Sequence, residues 1–244
     1  MNSANKHTGD SYFHGWLYRT VIDPALVPIR ERVKNWIPKG SSVVDIGCGT
    51  GAQLFALGDH IARGLGVDLS QSQIEYARRH AAKFDLTHIE FTVADATRLY
   101  RIRESEFDIA VTSLVIHEMP IQIRVPVLQE MRRIARQLII VDWEARQRTL
   151  WRRMSTDFIE RLAGRSHYRG YRSFTENGGI PELIEKSLRQ LGDTGVLQQL
   201  SHRDHNPQTR LHLVAQLDCH QRVDTEIVQR LIDVELFGGN PQHP

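Results

Sequence analysis

The sequence predicts an α/β fold: a mostly parallel seven-stranded sheet with a reversed last strand and helices on both faces. Short apolar runs of strand length recur at 43–46, 65–67, 89–94, 107–112 and 138–141. Helical patterns or loops separate them, which is the rhythm of βαβ units. Two further extended stretches, 196–200 and 211–217, are joined by a turn at 203–207. That connection is too short for the crossover a parallel pair needs, so the late pair is antiparallel. The chain has 244 residues, 41% of them hydrophobic, enough for one sizeable core.

Taken in order, residues 1–10 are polar, and 11–21 interleave Tyr12, Phe13, His14, Trp16 and Tyr18 with little period. A helix follows. Asp23 can cap it and Pro24 suits its first turn, with Leu26, Ile29, Val33 and Trp36 at helical spacing before Pro38 and Gly40 end it. Residues 1–40 thus form a helical extension ahead of a main domain at 41–217. After the second strand, Ser70 and Gln73 make a capping box for a helix whose inner face is Ile74, Ala77, Ala81 and Phe84. Ile121, Val125, Leu128, Met131 and Ala135 fit a further helix, which either starts near Pro126 or kinks there.

Beyond the fifth strand an insertion, about 145–180, carries Arg146, Arg148, Arg152, Arg153, Arg161, Arg165, Arg169 and Arg172 against the acids Asp157 and Glu160. Tyr168 and Tyr171 could stack on a ring there. Residues 181–190 read as helical. The tail, 218–244, has Val223, Ile227, Leu231 and Val234 at helical spacing, a stripe for docking on the domain or on a second copy in a homodimer.

A formal charge of +2 with a pI near 8.6 does not by itself imply a polyanionic partner. Cys48 and Cys219 lie far apart, and a disulfide at Cys48 would spoil a glycine turn, so a reducing, cytoplasmic setting is expected. No run approaches the ~18 apolar residues of a membrane span. His202, Asp204 and His205 lack a third ligand at recognisable spacing, so no metal is expected.

The strongest signal is the strand 43–46 running into Gly47-Cys48-Gly49-Thr50-Gly51 and then a helix. Glycines tolerate positive φ and remove the Cβ atoms that would obstruct a ligand, while the helix start offers free N–H groups. Two cofactor classes use such a bend. Gly47-x-Gly49-x-x-Ala52 satisfies the dinucleotide fingerprint, and Asp68 lies about 20 residues beyond Gly47. A nicotinamide-dependent oxidoreductase is therefore an alternative.

Asp45-x-Gly47-x-Gly49-x-Gly51 also resembles, in full, the first motif of the class I S-adenosylmethionine-dependent methyltransferases. The resemblance implies a Rossmann-like sheet and S-adenosyl-L-methionine as cofactor. It implies that Asp68, in Gly66-Val67-Asp68-Leu69-Ser70, holds the ribose hydroxyls with Leu69 beside it. Asp95, in Val93-Ala94-Asp95-Ala96, would accept the adenine amino group, with Ala96 alongside, and the fourth strand's exit through Ser113 would line the methionine end. Asp45, Gly47, Cys48, Gly49 and Gly51 complete the cofactor set. The strings 115–120 and 129–134 are similar to those of the ubiquinone and menaquinone biosynthesis methyltransferases, which implies a small-molecule acceptor. The sequence lacks the Asn-Pro-Pro-Tyr type of motif carried by base-amino methyltransferases, yet RNA stays open as an acceptor. The aromatic segment 12–18 is either a lid, as similar enzymes use, or a patch packed on the core.

Transfer to an oxygen needs a general base, whereas an amine or thiolate needs only desolvation or a shifted pKa. His117, after strand four, is the first candidate. Glu118 and Asp142, the latter at the end of strand five, follow it. The arginines of the insertion suit an anionic acceptor and its tyrosines an aromatic one; the same residues would suit RNA.

Overall fold

The computed structural model describes residues 26–142, 165–191, 200–202 and 214–218. The aromatic segment 12–18, Asp23 and Pro24, the arginines from Arg146 to Arg161, the turn at 203–207 and the tail beyond Asp218 lie outside these residues.

The sheet is built around β1 (Ser42–Ile46). It pairs in parallel with β2 (Arg63–Asp68) on one side and with β4 (Phe107–Ser113) on the other. β3 (Ile89–Val93) extends the β2 side and β5 (Ala135–Val141) the β4 side, also in parallel. These five strands form the parallel body. An antiparallel edge follows, in which β7 (Val214–Asp218) pairs with β5 and β6 (Leu200–His202) pairs with β7, giving the order β3-β2-β1-β4-β5-β7-β6. The chain leaves β1 toward β2 and β3, then returns to β4 on β1's other flank. That reversal opens a crevice at the carboxyl ends of β1 and β4, where sheets of this kind bind ligands.

Strands covered on both faces read as continuous apolar runs rather than alternating ones, and β1, β2 and β4 are buried almost throughout. One face packs under α1 (Val27–Trp36), α2 (Ala52–Leu57) and α3 (Gln71–Lys83), with Val33, Leu54, Leu57, Ile74 and Ala77 fully buried. The other packs under α4 (Ile121–Ile134), α5 (Arg165–Glu176) and α6 (Gly179–Leu191), through Leu128, Met131, Phe174 and Ile180. Among the described residues no helix is long and apolar enough to cross a membrane.

Several boundaries differ from those the sequence predicts. α1 begins at Val27 with Leu26 as its cap residue and Pro28 in its first turn, so Pro28 takes the place expected of Pro24. Ile74, Ala77 and Ala81 form the buried face of α3, but Phe84 is 55% exposed, because the helix ends at Lys83 and the next residue leaves the apolar stripe. α4 runs from Ile121 through Pro126, so it does not start at that proline, and Ala135 opens β5 instead of finishing the helix. The described part of the insertion is helical, and α6 starts at Gly179 rather than 181.

Candidate active site

The glycine turn after β1 is left-handed at three alternate positions, with φ of 72° at Gly47, 53° at Gly49 and 82° at Gly51. Each glycine is also hemmed in. A Cβ on Gly47 would stand 2.7 Å from both methyls of Val115, one on Gly51 would stand 2.6 Å from the Phe91 ring, and one on Gly49 would meet Gln73 Oε1 at 2.7 Å. The β4 exit therefore packs directly on the turn. Gly47→Ala is expected to destabilise the protein by roughly 2–4 kcal/mol, from left-handed strain together with a clash that Val115 cannot easily yield to. Urea unfolding of the two proteins checks this, and near-equal midpoints would count against it.

Asp68, at the end of β2, ties the turn to α3. Its Oδ2 accepts the Gly49 N–H at 2.9 Å and its Oδ1 accepts the Ser70 N–H at 2.8 Å. This explains the capping box. The Ser70 hydroxyl accepts the Gln73 N–H as expected, but Asp68 already satisfies the Ser70 N–H, so the Gln73 side chain reaches the glycine turn instead. Asp45 is 2% exposed. Burial, and then the nearby Asp68, push its carboxyl up from 3.8 to about 7, against a smaller pull from Arg30. Burial beside the same two acids pushes the Cys48 thiol up, so Cys48 stays protonated, a small apolar filler close to Gly66. Asp95 is exposed at the β3 exit. Thr97 donates to its Oδ1 from both backbone and hydroxyl, which holds its carboxyl below the usual range. Ala94 donates to the Asp68 carbonyl, joining the ends of β2 and β3.

These groups fit an adenosyl compound on their own geometry. Asp68 keeps lone pairs beyond the two N–H groups it accepts. Leu69 is exposed next to it, and the Ser113 hydroxyl at the end of β4 is buried with no hydrogen-bond partner among the described residues. A buried hydroxyl left so costs about 1–3 kcal/mol, which a ligand can recover.

The structure brings His117 and Asp142 together. His117 sits in a single 3-10 turn, Ile116–Glu118, after β4, and Asp142 directly follows β5. Asp142 is fully buried. Its Oδ1 is 2.6 Å from His117 Nδ1 and its Oδ2 accepts the His117 N–H at 3.1 Å. The pairing of Nδ1 with a carboxylate sets Nε2 as the ring nitrogen able to take up a proton, and that atom lies 3.9 Å from Glu118 Oε1. Tyr171 and Phe174 of α5 lie against the imidazole, with centroids at 6.5 and 6.4 Å. Tyr171 is thus no surface platform: it is 3% exposed, while Arg169 and Arg172 of the same helix are exposed and Arg172 pairs with Glu176.

The parts that Gln73, Val115, Arg124 and Gly170 play near these groups escape sequence reading, although Gln73 stands in the capping box and Val115 opens the string at 115–120. The motif at 129–134 turns out to work at a distance. Glu130 and Arg133 form a forked pair, and together they grip the backbone of Leu99 and Ile102 in the segment that follows Asp95. No group of His, Cys, Asp and Glu arranged to hold a metal occurs among the described residues.

Comparison with known proteins places this geometry. Residues 43–137 match the family described as a methyltransferase domain. The chain is 34% identical over 95 residues to an S-adenosyl-L-methionine-dependent Diels-Alderase of Talaromyces variabilis, covering 37% of this chain and 32% of that protein. It is 27% identical over 92 residues to the ubiquinone biosynthesis O-methyltransferase of Leptothrix cholodnii, covering 35% and 39%. The chain thus spans about a third of the length of the curated relatives it matches. Its fold is similar to that of a candidate S-adenosyl-L-methionine-dependent methyltransferase of Methanococcus maripaludis, with a TM-score of 0.59, 18% identity, and coverage of 89% and 97%. The glycine turn and the acids at the ends of β1, β2 and β3 all lie inside the segment that matches the methyltransferase-domain family.

Proposed function

We propose that this chain transfers a methyl group from S-adenosyl-L-methionine to a hydroxyl oxygen of a small acceptor, with His117 as the base. The observation that carries the proposal is the buried His117–Asp142 pair on the β4 and β5 exits, with His117 two residues beyond Val115, which touches the glycine turn. An amine acceptor would need no such pair, because desolvation alone frees its lone pair. The bound cofactor supplies an electrophilic methyl carbon on a sulfonium. Asp68 and Asp95 hold its ribose and adenine, Asp45, Gly47, Cys48, Gly49 and Gly51 line its path with Leu69 and Ala96 flanking, and Ser113 meets the methionine end. His117 Nε2 takes the hydroxyl proton, and Asp142 fixes the tautomer and offsets the charge that forms. Holding two reactants in line is worth about 7–11 kcal/mol, and α5 over the imidazole keeps water out.

The name of the Leptothrix cholodnii relative, an O-methyltransferase of ubiquinone biosynthesis, supports oxygen as the acceptor atom. Residues 41–217 form the catalytic body in this reading, with 1–40 and the insertion at 145–180 as its covers.

Incubation with methyl-labelled S-adenosylmethionine and fractionated extract tests this. Label should enter small molecules as a base-stable methyl ether. Label in RNA or on nitrogen would overturn it, and cofactor binding without transfer to any fraction would favour a reaction other than methylation, as the Talaromyces variabilis relative's name describes. Asp68→Ala should weaken S-adenosylhomocysteine binding at least about 10- to 100-fold by calorimetry, the effect of losing a charged hydrogen-bonding partner. Unchanged affinity would remove Asp68 from the site.

A further inference from the structure

We propose that Arg124 is a positioning residue whose buried guanidinium joins the His117 turn to helix α5, so that seating the helix and orienting the imidazole are one event. The inference rests on the reading of His117 as the base. Arg124 lies on α4 and is only 3% exposed. Its Nε donates to the Met119 carbonyl at 3.0 Å, and its Nη2 donates to the His117 carbonyl at 3.2 Å and to the Gly170 carbonyl at 3.0 Å. The guanidinium carbon stands 5.4 Å from the centroid of the Phe174 ring, the same ring that packs on His117. One planar cation thus holds the backbone of His117, that of Met119 two residues on, and the backbone of α5.

The energetics argue that this arrangement serves more than stability. Three carbonyls and a ring face are the partners found for Arg124 among the described residues, and Asp142 supplies its attractive charge from farther off. Burying a cation without direct contact to an acid is unfavourable, and an apolar side chain of similar volume would often be at least as stable. What the cation gives is geometry, because a planar fork fixes several acceptors at once. The facing residue matches: a Cβ on Gly170 would stand 2.7 Å from the His117 carbonyl oxygen and 3.2 Å from the Glu118 Cα, so α5 touches the turn backbone to backbone. Tyr171, the next residue, packs on the imidazole. Lifting α5 must therefore break the Arg124–Gly170 bond and strip the aromatic cover from His117 together.

Among the described residues, the charged or titratable groups around the imidazole include Asp142 directly after β5, Glu118 from its own turn, Arg124 from α4 and Tyr171 from α5. Side-chain nitrogen NMR of His117, assigned by the missing signals of His117→Gln, reads its tautomer and titration. Hydrogen exchange of amides 165–176 reads α5, and calorimetry with S-adenosylhomocysteine reads the cofactor half. In Arg124→Lys we expect α5 to exchange at least about tenfold faster, His117 to lose its single tautomer, and cofactor affinity to stay within about twofold. In Arg124→Met the same changes should appear, and the His117 midpoint should also move to higher pH, because a neighbouring positive charge no longer opposes protonation. Gly170→Ala leaves Arg124 intact but pries the helices apart, and it should reproduce the lysine result, so the test survives if the methionine variant does not fold. Faster α5 exchange with unchanged His117 signals, or no change in either, overturns the proposal. Full methyl transfer by His117→Ala would instead sink the base assignment and leave the clamp measurements standing.

Discussion

Asp142→Asn is expected to lower kcat for methyl transfer by about 10²–10⁴-fold while S-adenosylhomocysteine affinity stays within about twofold. The carboxylate takes the Nδ1 side of His117 and its backbone N–H. An amide in its place can present an N–H to Nδ1, which would move the ring proton to Nε2, the atom that must accept one. The shape of the site would survive and its proton acceptor would not. His117→Ala should fall by a similar factor, and the double variant should fall little further, since groups acting as a unit are not additive. The separation of effects is the sharper test. If either variant lost cofactor affinity in step with kcat, the pair would be a brace between β4 and β5 rather than a base and its orienter. Single-turnover rates at saturating cofactor, with calorimetry on the same samples, separate the two.

Legibility in the sequence followed the range of the interactions. The parallel body could be read because each buried strand is a local apolar run and each is punctuated by local turn chemistry, as at 43–51. The glycine turn and the acids after it lie within a few residues of strand ends, so their places were fixed once the strands were. What could not be read depends on contacts between distant segments. Arg124 looks like an ordinary helix charge until α5, some forty-six residues away, lays Gly170 over it. Tyr171, expected to stack on the ring of an acceptor, packs on His117 instead for the same reason. Pro126 left two readings open, a helix starting there or one continuing with a kink, and the buried Val125, Val127 and Leu128 on either side of it carry the helix through. Phe84 shows that an apolar residue at the right period is still left outside once the helix stops one residue early. Asp142 and His117 were each visible as strand-exit residues, but only the β4–β5 pairing sets them face to face.

Asp45→Asn is expected to stabilise the protein by about 2–4 kcal/mol at pH 8, with the difference shrinking as pH falls toward 5. The sign follows from burial. An unfolded chain gives up the Asp45 proton near 3.8, whereas the folded protein keeps it up to about 7. Below 3.8 both states are protonated and the residue has no effect on the balance. Between these values the unfolded state binds fewer protons, so stability falls as pH rises, and above 7 the full penalty of about 4 kcal/mol is in place. Asparagine has nearly the same shape and no charge to bury, although it forgoes the attraction of Arg30. Thermal unfolding at pH 5 and pH 8 reads the difference, and an equal gap at both values would refute the burial argument. An acid kept at such a disadvantage beside a glycine turn fits the trade of stability for function that binding sites show. A ligand bringing positive charge into the crevice should favour the ionised form of Asp45 and so release a proton when it binds near pH 7. Calorimetry of S-adenosylmethionine in buffers of different ionisation heat should find that proton in the natural protein and not in Asp45→Asn.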